Sequence, residues 1–228
     1  MRRLIRDISS VLLISGAVLL LDAGVTLVWQ EPLTAVIGMI KSSEVNRHFL
    51  SYKTAPLSQL ERGALGDLTS MSQRIAYLAR LEQRQVQAGD AIGRIVIGRI
   101  GASFNVVEGT GETDLEQGPG HYPSTSLPGL GQTVGIAGHR TTYLEPFRKI
   151  DQLRPGDQIV LKMRYAKFTY VVQYTKIVLP TALWVVDNVG YERLVLSACN
   201  PLYSAAQRII VFARLQEVTP LGAASALA

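Results

Sequence analysis

The sequence predicts an all-β domain that closes into a barrel of about eight strands with short helices. A transmembrane helix and a helical linker are expected before it. Three observations support this order: an apolar run near the N-terminus, a helical period before residue 90, and short β-type segments separated by Gly and Pro after it. The expected boundaries are 1–30 for a cytoplasmic stub and membrane helix, 31–90 for an extracellular linker, 91–218 for the barrel and 219–228 for a disordered tail.

The N-terminal segment has the pattern of a membrane anchor. Arg2, Arg3 and Arg6 precede an apolar run over residues 8–29, which as a helix would extend about 33 Å and match a bilayer core. The basic end is expected in the cytoplasm, so the protein would be a single-pass protein of the cell membrane with the rest of the chain outside the cell. A cleaved signal peptide is the alternative, but residues 21–23 make a poor cleavage site because the first of them is not small.

The linker contains one helical pattern. Residues 68–87 hold neither Gly nor Pro, and apolar side chains recur there at three- and four-residue steps, which places them on one face of a helix. These side chains are Leu68, Met71, Ile75 and Leu78. The face is expected to pack against the following domain or a partner. Pro56, Gly63 and Gly66 interrupt the stretch before it, which is typical of a flexible spacer.

From Ala91 onward the pattern changes to short strands. Over 168–175, Phe168, Tyr170, Val172 and Tyr174 alternate with Thr169, Val171, Gln173 and Thr175, the period of a half-buried strand. Further strand candidates lie at 92–97, 103–107, 133–137, 158–161, 193–197 and 209–215. So many short strands in one segment favour a closed barrel or a sandwich.

Composition excludes several classes of function. The chain has 23 Lys and Arg against 18 Asp and Glu, and both signs are spread along it, so no nucleic-acid-binding surface is expected. Cys199 is the single cysteine, which excludes an intramolecular disulfide and a multi-cysteine metal site. His48, His121 and His139 lack the i, i+4 spacing of a zinc-enzyme motif. We expect no cofactor and no metal.

Two other polar features receive structural interpretations. His121 lies in a loop rich in Gly and Pro, where a structural hydrogen bond is expected. Glu108, Glu112, Asp114 and Glu116 form an acidic segment, interpreted as a solvated loop. Part of a calcium site is the alternative, because calcium prefers clustered oxygen ligands.

Three chemically reactive side chains lie at the ends of predicted strands. His139 and Cys199 each follow a strand, and Arg208 precedes one. Side chains at strand ends can share one rim of a barrel. The residues alone leave three interpretations of Cys199: a reactive thiol, a partner in an intermolecular disulfide, or a small buried apolar residue.

A series of short motifs runs through the barrel segment. They are Gly-Pro-Gly-His-Tyr-Pro at 118–123, Leu-Pro-Gly at 127–129, Gly-His-Arg-Thr-Thr-Tyr at 138–143, Leu-Arg-Pro-Gly-Asp at 153–157 and Leu-Ser-Ala-Cys at 196–199, followed by Arg208. Together they resemble the sortases, a family of cysteine transpeptidases, and are most similar to the class E sortases of high-GC Gram-positive bacteria. The resemblance implies an eight-stranded β-barrel, in agreement with the strand pattern.

The resemblance implies that His139, Cys199 and Arg208 are catalytic. A thiolate, favoured by a nearby imidazolium and guanidinium, is the nucleophile. Cys199 would attack the Thr-Gly carbonyl of a sorting signal similar to Leu-Ala-x-Thr-Gly or Leu-Pro-x-Thr-Gly and form a thioacyl enzyme. His139 would transfer protons, and Arg208 would donate to the oxyanion. The implied partners are sorting-signal peptides of secreted proteins and a peptidoglycan amine.

The resemblance also implies substrate contacts. Tyr143 would line the substrate groove, with a core tyrosine as the alternative, and Asn200 would supply a second oxyanion donor. Val195 and Ala198 stand where the family usually has threonines, so a hydroxyl that could contact substrate is missing at Ala198, beside the nucleophile. The alternative functions are a catalytically weak, sortase-like peptide-binding surface protein and a pilin-polymerising sortase.

Overall fold

The computed structural model describes residues 2–28, 32–52 and 57–225, and in it the β-type segments form a closed barrel. Its strands are β1 (Ala91–Ile97), β2 (Ala102–Glu108), β3 (Gly120–His121), β4 (Thr133–Ala137), β5 (Gln158–Met163), β6 (Ala166–Val178), β7 (Arg193–Asn200) and β8 (Gln207–Pro220). Their order around the barrel is β1-β2-β3-β4-β7-β8-β6-β5, and β5 closes on β1. The predicted barrel of about eight strands is confirmed.

Three neighbouring strands end at the same rim. β4 runs parallel to β7, with Ala137 opposite Ser197 as their last pair. β7 runs antiparallel to β8, with Cys199 opposite Arg208. The C-terminal ends of β4 and β7 therefore lie beside the N-terminal end of β8.

Apolar side chains fill the barrel interior. Leu194, Leu196 and Ala198 of β7 join Val211 of β8 in the main core, each of them at most 3% exposed. Full burial of one such large side chain stabilises the fold by about 1.5–3 kcal/mol relative to exposure.

A second apolar cluster lies on the outer face of β7 and β8. A 3-10 turn at Leu183–Val186, in the connection from β6 to β7, covers this face. The outer cluster consists of Val185, Val195, Ile210 and Phe212. Because β7 is covered on both faces, it forms a nearly continuous apolar run rather than an alternating one.

Helices precede the barrel. They are α1 (Arg2–Val28), α2 (Pro32–Tyr52), α3 (Gln59–Gly66) and α4 (Met71–Gln85), and a short α5 (Glu112–Leu115) follows β2. Within α1, residues Arg6–Val25 have a mean hydropathy of 2.1 and bury nothing against the rest of the protein. This helix is long and apolar enough to cross a membrane once.

The amphipathic pattern before the barrel forms α4. Ser70 and Gln73 make a capping box at its start, which satisfies main-chain N–H groups that have no partner within the helix. Ile75 and Leu78 pack into the main core. Glu82 forms a buried ion pair with Arg164 at 2.7 Å. The apolar face of α4 thus packs against the barrel.

Two expected flexible segments are ordered in the structure. The sequence predicts a spacer before α4, whereas the described part of it forms α2 and α3; Gly63 and Gly66 lie within α3, and Pro56 lies outside the described residues. A capping box between Ser58 and Glu61 explains why α3 begins where it does.

The expected disordered tail is a second correction. β8 extends to Pro220, and Ala224 in a following 3-10 turn is fully buried in the main core. Apolar packing therefore orders the chain to Ser225, and residues 226–228 lie outside the described part.

Candidate active site

Cys199 lies on the outer face of the barrel because β7 alternates between the interior and the outside. Leu196 and Ala198 belong to the main core, and successive side chains of a strand point to opposite faces. Cys199 therefore shares the outer face with Val195. It is half-buried and carries a free thiol. A thiol in this position can meet a peptide that lies across the rim.

The main chain brings His139 level with Cys199. The Gly138 N–H donates to the Ser197 carbonyl at 3.0 Å, which extends the pairing of β4 with β7 to the residue before His139. The Phe147 ring packs on Gly138, only 2.5 Å from where a Cβ would lie, so a larger residue there would displace the ring. The Phe147 N–H also donates to the His139 carbonyl at 3.0 Å. These contacts fix the backbone of His139 beside β7.

Arg208 lies directly opposite Cys199 on β8, and such partners in an antiparallel pair project to the same face. Its Nη1 donates to the main-chain carbonyls of Ala205 and Gln207, both at 2.9 Å. Those two bonds hold the guanidinium along the connection from β7 to β8. Within the described residues, Nε and Nη2 of Arg208 make no hydrogen bond, so they can donate to a substrate.

The imidazole of His139 is largely removed from solvent, and one of its nitrogens lacks a partner among the described residues. Burial lowers the pKa of His139, and the negative charge of Glu116 partly offsets that change. Its Nε2 atom is buried and has no hydrogen-bond partner among the described residues. A buried polar atom without a partner is costly in a purely structural role. The Nε2 atom therefore has hydrogen-bonding capacity that the described part of the protein does not use.

Tyr143 lies against the histidine. The two ring centroids are 5.3 Å apart, and the Tyr143 hydroxyl donates to Glu116 at 2.9 Å. Lys41 of α2 forms an ion pair with the same carboxylate. Hydrogen bonds from Lys41 and Tyr143 lower the pKa of Glu116, so its charge persists at neutral pH. Tyr143 thus links His139 to an ionised carboxylate.

An unusual backbone turn positions Tyr143. Tyr143, Leu144 and Glu145 all have positive φ, at 48°, 68° and 46°, a conformation that costs energy in residues other than glycine. Glu145 is buried and binds Arg148 at 2.7 Å. The surrounding packing therefore holds the turn that places Tyr143 beside His139.

The other two expected substrate contacts differ in their placement. Ala198 is 3% exposed and points into the main core, so its methyl group does not share the face of Cys199, and the expectation of a substrate contact is corrected. Asn200 is half-buried, its Oδ1 accepts from Arg140 at 3.1 Å, and its amide nitrogen lies 3.4 Å from Gln207. Its side chain is thus held within the protein.

The acidic segment has separate structural partners. Glu108 binds His121 Nδ1 at 2.8 Å, and Thr125 binds the other ring nitrogen at 3.0 Å. Asp114 accepts from the Gly111 N–H at 3.0 Å. Among the described residues, no group of three or more His, Cys, Asp or Glu side chains is arranged to hold a metal. His121 therefore makes structural hydrogen bonds, as the sequence predicts for this loop.

Sequence reasoning missed two neighbours of the site. The sequence predicts Glu116 as part of a solvated acidic loop, or alternatively of a calcium site, whereas its contact with Tyr143 spans 27 residues of chain, so no local pattern predicts it. Arg140 follows the candidate histidine within its motif. That position is the signal that could have identified it, because a charged residue directly after a buried strand must find partners.

Comparison with known proteins supports a family assignment. The sortase domain model matches residues 95–216. Sortase D of Bacillus subtilis (strain 168) is 35% identical over an alignment of 133 residues, and the match covers 56% of this chain and 65% of that protein. The chain therefore spans slightly less than two thirds of that relative's length.

Solved structures give the same family. Sortase E from Streptomyces avermitilis is 35% identical with a TM-score of 0.54, covering 59% of this chain and 93% of the other. Sortase E1 from Streptomyces coelicolor, solved with a tripeptide in the active site, is 28% identical with a TM-score of 0.56, covering 59% and 94%. The matched relatives include sortases D and E, and the shared region contains the barrel rim with the histidine, cysteine and arginine. By its domain match, its barrel and its relatives, the chain belongs to the sortase family.

Proposed function

We propose that the protein is a membrane-anchored cysteine transpeptidase. It would cleave the Thr-Gly bond of Leu-Ala-x-Thr-Gly or Leu-Pro-x-Thr-Gly sorting signals and transfer the acyl group to a cell-wall amine. The observation that carries the proposal is the meeting of His139, Cys199 and Arg208 at the ends of three adjacent strands. A nucleophile, a proton carrier and an anion-binding group at one rim meet the needs of acyl transfer.

In the first step, the Cys199 thiolate attacks the threonine carbonyl carbon and a sulfur–carbon bond forms. The protonated imidazole of His139 gives its proton to the glycine nitrogen, and the carbon–nitrogen bond breaks. The products are a thioacyl enzyme, a neutral His139 and a free glycine amine. The charge of Glu116 favours the imidazolium that this step requires.

Arg208 stabilises the oxyanion of the tetrahedral intermediate. Its Nη1 hydrogen bonds to the Ala205 and Gln207 carbonyls fix the guanidinium before substrate arrives. Donors that are already oriented cost little reorganisation in the transition state. Its Nε and Nη2 groups supply two N–H donors in one plane, a geometry that suits an oxyanion.

In the second step, an acceptor amine attacks the thioester. An amide bond forms, the carbon–sulfur bond breaks and the Cys199 thiolate is restored. Neutral His139 takes the proton from the amine and becomes the imidazolium again. Because burial favours the neutral imidazole of His139, the residue is suited to act as a base here.

An exposed ring above the outer cluster offers an apolar surface for the signal peptide. The cluster itself lies along β7 and β8 beside Cys199 and Arg208 and is at most 8% exposed, so the peptide would meet what covers it. Trp184, which is 48% exposed, stacks above it on Phe212 with ring centroids 6.4 Å apart. The leucine of a sorting signal could bury its side chain on such a surface.

The catalytically weak alternative loses its main support. It rests on the absence of threonine hydroxyls at Val195 and Ala198, yet Val195 is fully buried in the outer cluster and Ala198 points into the barrel core. A hydroxyl at either position would not reach a peptide on the outer face. We therefore retain catalysis as the proposed function.

We propose that α1 crosses the membrane once and anchors the protein there. The catalytic domain would then lie outside the cell. Protease added to intact, wall-stripped cells should digest the barrel and leave the N-terminal stub. Digestion of the barrel only after cell lysis would reverse this topology.

The function is tested with the full-length protein in detergent micelles. Fluorogenic peptides that contain Leu-Ala-x-Thr-Gly or Leu-Pro-x-Thr-Gly are mixed with triglycine as the amine, and products are identified by mass spectrometry. We expect a new amide between threonine and triglycine. A peptide with threonine replaced by valine is the matched control. Complete absence of cleavage and transfer with both signals would contradict the proposal.

A further inference from the structure

Arg140 is a buried charge that the proposed mechanism does not use. It directly follows His139 and is only 5% exposed. Removing a guanidinium from water is costly unless its donors find partners. The identity of those partners therefore shows what this residue holds together.

The guanidinium of Arg140 binds two segments of chain, residues 199–200 and residues 148–151. Its Nη1 lies 3.1 Å from Asn200 Oδ1 and 3.4 Å from the Cys199 carbonyl. Its Nη2 pairs with Asp151 at 3.1 Å. Both Nη2 and Nε also approach the Arg148 carbonyl, at 3.3 and 3.4 Å. One planar group thus joins the end of β7 to the loop after His139.

These contacts lie where the strand pairing stops. The last pair of β4 and β7 is Ala137 with Ser197, and the Gly138 N–H adds one further bond to the Ser197 carbonyl. Beyond that point, Arg140 supplies the next link between these two segments, through its hydrogen bond to the Cys199 carbonyl. The link joins Arg140, the residue after His139, to the main chain of Cys199.

We propose that Arg140 is a positioning residue that sets the separation between the Cys199 thiol and the His139 imidazole. The inference rests on the proposed function, in which those two groups act together. Arg140 touches the main chain of Cys199 and not the reacting atoms. A lysine at this position keeps the charge. Its single ammonium nitrogen cannot contact both Asn200 and Arg148, whereas the planar guanidinium reaches both.

The test compares Arg140→Lys with a matched control, Arg164→Lys, in the full-length protein in detergent. Arg164 is also largely buried, but it pairs with Glu82 of α4 and lies away from the rim. We expect Arg140→Lys to lower kcat by about 10- to 100-fold with KM changed less than about threefold, because small displacements of reacting groups cost that much. The control should keep kcat within about threefold.

Chemical rescue gives a second readout. Arg140→Ala leaves a space that free guanidinium ion can enter, so millimolar guanidinium chloride should restore part of its kcat, while Arg164→Ala should gain nothing. Sodium chloride at equal concentration controls for ionic strength. If Arg140→Ala does not fold, the lysine variant still decides the question through its split between kcat and KM.

Alkylation of Cys199 by iodoacetamide separates this inference from the proposed function. We expect the rate at neutral pH to fall at least about threefold in Arg140→Lys and to stay unchanged in Arg164→Lys. If the wild type cleaves no signal peptide, the proposed function fails, and the alkylation rates still test the positioning role. Wild-type kcat and wild-type alkylation in Arg140→Lys would overturn the inference, as would losses explained fully by a smaller folded fraction.

Discussion

The polar groups near the two ends of β7 are satisfied differently. At its start, Glu192 and Arg193 are both buried, and each has several hydrogen-bond partners. At its end, His139 Nε2 is buried with no partner among the described residues, and part of the Arg208 guanidinium is unbonded there as well. One strand thus joins a satisfied polar cluster to an unsatisfied one.

The partners of Glu192 show how complete the first cluster is. Its carboxylate accepts from the N–H groups of Gly129 and Gly131, both at 3.0 Å, and from the Tyr170 hydroxyl at 2.7 Å. These bonds tie the loop before β4 to β6 and to the start of β7. Polar groups satisfied in this way stabilise the fold and have no capacity left for a substrate.

Arg193 is satisfied by a separate set of partners. It donates to Thr133 Oγ1 at 3.2 Å and to the carbonyls of Val185 and Asp187 at 3.0 and 2.9 Å. Its guanidinium also lies 5.1 Å from the centre of the Phe212 ring. The contrast teaches that burial of a charge does not identify a catalytic group. Unused hydrogen-bonding capacity at a rim is the better indicator.

The largest expected effect on peptide cleavage comes from removing the Cys199 thiol at the C-terminal end of β7. Cys199→Ala should lower peptide cleavage by more than about a thousandfold, because no other cysteine can replace the thiol. The half-buried site accepts a methyl group, so the melting temperature should change little. Cleavage by the variant at a rate comparable to wild type would show that Cys199 is not the nucleophile.

Arg208 separates directed hydrogen bonding from general charge. Arg208→Lys should reduce kcat about 100-fold, nearly as much as Arg208→Ala, since an ammonium keeps the charge but loses the planar donors. Steady-state kinetics with the same signal peptide measures both variants. Near-normal turnover in the lysine variant would mean that positive charge alone suffices.

Substitution of Glu192 at the start of β7 should lower stability rather than turnover. Glu192→Ala leaves two main-chain N–H groups and the Tyr170 hydroxyl without their acceptor, so the free energy of unfolding should fall by about 3 kcal/mol. Glu192→Gln keeps an oxygen for the N–H groups and should lose less. Denaturant unfolding gives the stability, and active-site titration gives kcat for each folded molecule. A large fall in that kcat would remove the proposed difference between the two ends.

The smallest effect concerns the charge beside the histidine. Glu116 raises the pKa of His139 against the lowering by burial, so Glu116→Gln should lower the pKa of His139 further. Less imidazolium is then present at neutral pH, and turnover should fall about threefold. NMR titration measures the shift, with the signal assigned by its absence from His139→Gln. Exposed Glu112 in the same loop provides the control Glu112→Gln, and an equal shift there would indicate a non-local effect.

Local patterns predicted the parts of the fold that depend on local periodicity. The alternation at 168–175 became the centre of β6, and the stripe before the barrel became α4. β3 was missed because its two residues form a strand only through pairing with β2 and β4. Buried Ala224 was missed because its partners lie elsewhere in the chain.

For the site, strand ends predicted which residues lie at one rim, as the strand pairing shows, but not their neighbours. The error at Ala198 was avoidable, because adjacent residues of a strand face opposite sides, so Ala198 cannot share the face of Cys199. The roles of Arg140 and Glu116 depend on contacts across distant segments. No periodicity in the sequence contains that information.

The most direct test of the catalytic proposal is capture of the thioacyl intermediate. Full-length protein in detergent is mixed with a Leu-Ala-x-Thr-Gly peptide without an added amine, quenched in acid, and analysed by intact and peptide mass spectrometry. We expect a mass increase equal to the peptide fragment ending in threonine, located on Cys199, absent from Cys199→Ala and discharged by triglycine. Cleavage of the peptide with no adduct at any time, or an equal adduct in Cys199→Ala, would contradict the proposed thiol chemistry.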